Sequence, residues 1–176
     1  MAGSGSSKKL DAEGLWDYAL RSLARRSQSS GELRTKLSRR ARTPQDVSET
    51  LAKLAEYGYA DDVRFSESFA TARLENSKFG KFRVLRDLQA KRVPSSVARS
   101  AVDKTYAGVP ETDLIRGFLA RKYRGKDLRS LLKSEKEMAN AYRRLRTAGF
   151  TSRESIAALR NYAKDVPEWE EPGGED

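Results

Sequence analysis

Three leucines, Leu37, Leu88 and Leu145, each stand six residues ahead of a residue suited to start a helix: Thr43, Pro94 and Thr151. Both landmarks shift by 51 residues from the first copy to the second and by 57 from the second to the third. Two landmarks that move together mark a tandem repeat, and a repeat of this length is a supersecondary unit that buries its apolar face against its neighbours. The chain is therefore constrained to a row of small units.

Each unit reads as three helices. In the first, Leu15, Ala19, Leu20, Leu23 and Ala24 share a face at helical spacing, with Arg21, Arg25 and Arg26 mostly elsewhere. Ser29 and Glu32 form a capping box ahead of Leu33 and Leu37; Thr43 caps a third helix, with Pro44 at its first position and Val47, Leu51 and Leu54 inward. Gly58 supplies the left-handed residue that ends it. The second unit starts at Asp61 or Asp62 and buries Phe65, Phe69 and Leu74. It continues after Gly80 with Val84, Leu85 and Leu88, and after Pro94 with Val97, Ala101 and Val102. The third begins near Pro110 with Leu114, Ile115, Phe118 and Leu119. It resumes at a Ser134 to Glu137 capping box with Ala141, Tyr142 and Leu145, and closes with Thr151, Glu154, Ile156 and Leu159. Phe69 and Phe118 are 49 apart, not 57, so about eight extra residues fall in a longer loop at Arg124 to Lys133. The expectation is an all-α protein of about nine helices and no strand. Residues 1–12 form a flexible tail, 13–60, 61–107 and 108–164 the three repeats, and 165–176 an acidic tail.

Charge narrows the function. The chain carries 35 Lys and Arg against 25 Asp and Glu, a net charge of +10. Six of the acids, and no base, lie in residues 165–176, so the rest of the chain is more basic than the total suggests. Such an excess favours a polyanionic partner. With neither Cys nor His, disulfides, zinc sites and Ser-His or Cys-His nucleophiles are excluded. No phosphate loop or metal cluster is present either, so a non-enzymatic protein without cofactor or metal is expected. Without a signal-peptide pattern or a run of about 18 apolar residues, the expected setting is the cytoplasm, with no membrane partner and a monomeric chain.

Cations gather around the second helix of each unit: Arg34, Lys36, Arg39, Arg40 and Arg42; Lys81, Arg83, Arg86, Lys91 and Arg92; Arg143, Arg144 and Arg146. Repetition at equivalent positions suits a nucleic-acid backbone or a filament. The third helices lack the Arg, Asn and Gln cluster that reads base edges, so operator recognition is not expected. Asp61 and Asp62 read as a helix N-cap in preference to a magnesium site. Phe79 and Phe82, flanking Gly80, are the aromatic pair expected at the surface. The tail DVPEWEEPGGED, opposite in sign to the remainder and carrying Trp169, is expected to be disordered or loosely docked over the basic residues.

The stretches YADDVRFSESFATAR, GKFRVLRDLQAKRV and RRLRTAGFTSRESI resemble the RecX family, regulators of the RecA recombinase. The acidic pair, Arg-Phe and later Arg of that family correspond to Asp61, Asp62, Arg64, Phe65 and Arg73. The Gly, basic residue and branched aliphatic correspond to Gly80, Arg83 and Val84, with Leu88 and Lys91 closing the helix and Gly149 and Phe150 in the last unit. The chain departs from the pattern at Arg92, where the family has glycine. The resemblance implies a curved, elongated body of three three-helix repeats that binds the groove of a RecA filament on single-stranded DNA. It also implies inhibition of ATP hydrolysis, strand exchange and filament growth. Candidate contacts to RecA or DNA, single-stranded and also double-stranded, are Arg73, Lys78, Lys81, Arg83, Arg86, Lys91, Arg143 and Arg144. The rival readings are a stand-alone, non-sequence-specific DNA-binding protein and a helical-repeat interaction scaffold.

Overall fold

The structure, a computed structural model, describes residues 9–162. The expected acidic tail and residues 1–8 of the expected N-terminal tail lie outside the described residues. Ten α-helices and one π-helical turn follow one another, and among the described residues there is no strand, only a single parallel bridge between Leu10 and Ala41. That bridge, with Leu10 N–H donating to Arg40 O at 2.8 Å and Arg42 N–H to Leu10 O at 2.7 Å, engages the chain earlier than the sequence reading placed it. Among the described residues two compact units emerge: 9–69 with Asp87–Ala101, and Ala70–Arg86 with 102–162.

Unit 1 is built on α1 (Ala12–Arg25), α2 (Ser30–Arg40) and α3 (Pro44–Glu56). Their starts are fixed by side chains that satisfy free amides: Asp11 accepts from Gly14 N, Ser29 and Glu32 form a reciprocal box, and so do Thr43 and Asp46 ahead of Pro44. The three helices close on Leu15, Ala19, Leu33, Leu37, Ala41, Val47, Leu51 and Leu54. Ala24, expected on the same face, is exposed, because α1 buries a narrower stripe. The first part of α4 (Asp62–Ala72) and the later parts of α5 (Lys81–Ala90) and α6 (Ser95–Thr105) complete the unit. Asp61 caps α4 through Arg64 N at 2.9 Å. Asp62 does something else: its carboxylate accepts from Ser30 N at 2.7 Å and Ser30 Oγ at 2.5 Å, fastening α2 to α4.

Unit 2 takes the end of α4, the π-helical turn Arg73–Ser77, the start of α5 and the end of α6. To these it adds α7 (Glu111–Lys122), the one-turn α8 (Leu128–Leu131), α9 (Glu135–Thr147) and α10 (Ser152–Tyr162). The extra element α8 lies in the expected loop at Arg124 to Lys133, begun by Asp127, whose side chain accepts from Arg129 N. α10 packs on α7 and α9 over Leu114, Ile115, Phe118, Leu119, Leu145, Phe150 and Leu159. Ser134 does precede α9 but makes no side-chain cap, contrary to the expected box. At α10, Thr151 does cap, its Oγ1 accepting from Glu154 N at 3.4 Å, and it is also held from outside: Glu111 accepts from its N–H at 2.7 Å and its hydroxyl at 2.8 Å.

Candidate functional site

The positioning of the basic side chains begins with a backbone contact. At the start of α5, Gly80 N–H donates to Ala148 O at 2.9 Å and Phe82 N–H to Gly149 O at 3.3 Å, just beyond the end of α9. A Cβ on Gly80 would lie 2.2 Å from Gly149 O, and one on Gly149, at φ +90°, 2.2 Å from Arg83 N. Only glycine permits that approach. The same joint recurs in unit 1 at the repeat offsets of 51 and 57: Ser29 Oγ donates to Lys91 O, and Gly31 faces Arg92, which takes φ 60°.

The unit 2 joint brings α5 against the carbonyl end of α9. Arg83 and Arg86 both donate to Thr147 O, at 3.4 and 3.2 Å, where the last carbonyls of a helix lack intrahelical partners and carry partial negative charge. A cleft of about 350 Å³ opens beside them. Phe79 and Phe118, with ring centroids 6.5 Å apart, give it an aromatic lining. Arg83, Lys122, Arg143 and Arg144 supply four cations, and none of the residues lining it is acidic. Packing orients these groups: the Arg83 guanidinium lies 5.2 Å and that of Arg73 5.8 Å from the Phe79 centroid. Arg144 donates to Tyr123 Oη at 3.0 Å and lies over that ring, while Arg143 donates to Asn140 Oδ1 at 2.6 Å. Beneath, Tyr106 donates to Phe79 O at 2.7 Å, and burial pushes its phenol up to about 12. The π-helical turn that presents Arg73 is stapled by Arg121, which donates to Asn76 O and Ser77 O.

Of the eight candidate residues, unit 2 therefore assembles Arg73, Arg83, Arg86, Arg143 and Arg144 around Phe79 and Thr147. Lys78 closes the π-helical turn at φ 52° and is half-buried beside Gly117. Lys81 stands 3.7 Å from Asp103 and lines a second, more apolar cavity with Phe82. Lys91 belongs to unit 1, 3.7 Å from Glu32 and over the Phe69 ring. The expected exposed pair divides: Phe82 is 60% exposed, whereas Phe79 is half-buried under two guanidiniums. Sequence reading missed Lys122 and Asn140. Lys122 was legible, since it stands four residues after Phe118 on the same helical face. Among the described residues no group of three or more acidic side chains is placed to hold a metal ion, and no helix is long and apolar enough to cross a membrane.

These features define a basic all-α protein of small helical units whose cations converge on the end of a helix. The family model for the first three-helix domain of RecX matches residues 16–54, and that for the second matches residues 61–102. The regulatory protein RecX of Chromohalobacter salexigens is 38% identical over 87 residues, 49% of this chain and 57% of that protein. That of Vibrio vulnificus is 29% identical over 149 residues, 84% of this chain and 92% of that protein. The crystal structure of RecX from Lactobacillus salivarius shares the fold, with a TM-score of 0.68 at 18% identity over 86% of this chain and 96% of that one. The chain belongs to the RecX family.

Proposed function

We infer that this protein is a non-enzymatic regulator that binds the RecA filament on single-stranded DNA in the cytoplasm and inhibits its ATP hydrolysis, strand exchange and growth. The family supports the partner, and the observation that carries the binding mode is the cleft with four cations and no acid beside the α5–α9 joint. Guanidiniums held over aromatic rings and helix carbonyls lose little further rotamer freedom on meeting a phosphate or carboxylate. We further read 13–60, 61–107 and 108–164 as three repeats, supported by the joint that recurs at the two repeat offsets. The test is RecA-dependent ATP hydrolysis on single-stranded DNA, with and without the protein. Inhibition is expected, weakened by Lys122→Glu with Arg143→Glu, two exposed rim positions. Hydrolysis unaffected by the unaltered protein would overturn the reading. DNA binding that vanishes with salt and leaves RecA untouched would make it a phosphate binder only.

A further inference from the structure

The unit 2 cleft has an aromatic lining and a purely cationic rim, and the sequence after α10 has the complementary pattern. Glu168, Trp169, Glu170 and Glu171 set one large apolar side chain among carboxylates, and Asp165, Glu175 and Asp176 add three more without a balancing base. We propose that residues 165–176 dock in cis into the cleft lined by Phe79, Phe118, Arg83, Lys122, Arg143 and Arg144, occupying the site that the polyanionic partner requires.

Reach, volume and charge agree. The 14 residues beyond Tyr162 span up to roughly 45 Å when extended, against a radius of gyration near 13 Å for a unit of about this size. A space of about 350 Å³ admits an indole. Trp is the best aromatic acceptor for the guanidiniums that already lie over Phe79 and Tyr123, and carboxylates match them in charge and geometry. The link is intramolecular, with an effective concentration of about 1 mM, so even a contact of about 0.1 mM affinity holds the external partner back about tenfold.

The competition rests on the functional reading of the cleft, whereas the docking does not, and full-length variants separate them. In one, Asp165, Glu168, Glu170, Glu171, Glu175 and Asp176 become their amides, a change confined to the tail. It is expected to bind single-stranded DNA about tenfold more tightly at low salt, with the gain disappearing as salt screens the attraction. In the other, Lys122→Glu with Arg143→Glu is expected to raise acrylamide quenching of Trp169, read as the difference from a Trp169→Phe control that cancels Trp16. Unchanged quenching overturns the docking. Raised quenching with equal DNA affinities for the native and amidated tails overturns the competition and, with it, the placement of the DNA site in this cleft.

Discussion

Arg92 holds a left-handed backbone at φ 60°, a conformation in which a Cβ crowds the following carbonyl and costs roughly 1–2 kcal/mol. Gly31 tolerates that Cβ only because it has none itself. Arg92→Gly is therefore expected to stabilise the fold by about 0.5–1 kcal/mol, after allowing for the added freedom of the unfolded chain, as a rise in urea midpoint. Gly149 is the reverse case. A methyl there meets the Arg83 backbone, so Gly149→Ala should cost about 3 kcal/mol or more in the same measurement. Glu32 couples the first joint to pH. Burial raises its pKa, but the hydrogen bond from Arg26, the charge of Lys91 and the Ser29 amide outweigh this and hold it below the ordinary 4.5. A depressed carboxyl contributes stability that is complete above 4.5 and is lost as pH falls through its folded value. Glu32→Gln should accordingly be about 1 kcal/mol less stable at pH 7 and converge on the unaltered protein in melts near pH 3.

At the scale of helices, α5 carries the clearest lesson about what a sequence reveals. Its apolar positions Val84 and Leu88, its start at Gly80 and its basic residues were all readable, because helical spacing and glycine act locally. What Arg83 and Arg86 face was not readable, since the carbonyl end of α9 lies more than sixty residues away in the chain. The difference changes the choice of variant. A glutamate at either position would set a carboxylate against carbonyl oxygens, so Arg83→Glu with Arg86→Glu should lower the melting temperature as well as binding. Neutral Arg83→Gln with Arg86→Gln should weaken filament binding at nearly unchanged ellipticity. If those glutamines leave binding intact, the two arginines serve only to hold α9. Ser134 shows the opposite limit: a capping-box pattern was present, but no side-chain cap is made. The family resemblance was legible for similar local reasons, whereas the cleft needed three segments distant in sequence.

For the molecule as a whole, four cations without an acid in one cleft set an expected salt dependence. The logarithm of affinity for single-stranded DNA should fall with a slope of about −3 against the logarithm of salt, and Lys122→Glu with Arg143→Glu should flatten it. A slope near zero in the unaltered protein would exclude phosphate neutralisation as the source of affinity. The division of the chain into two units has a different consequence, for how the protein is made. The core from Leu15 to Leu54 lies in one continuous stretch, so it can condense while synthesis is still under way. The remainder of unit 1 arrives as Asp87–Ala101, after Ala70–Arg86, which belongs to unit 2, has already been translated. A nascent chain therefore carries the end of α4 and the start of α5 before α7, α9 and α10, the later elements of the same unit, have been translated. During that interval Gly80 has no Gly149 to meet, and Phe79 and Val84 are open to chaperones and proteases. The ordering of segments along the messenger thus makes the half of the protein that holds the basic cleft the last to become safe.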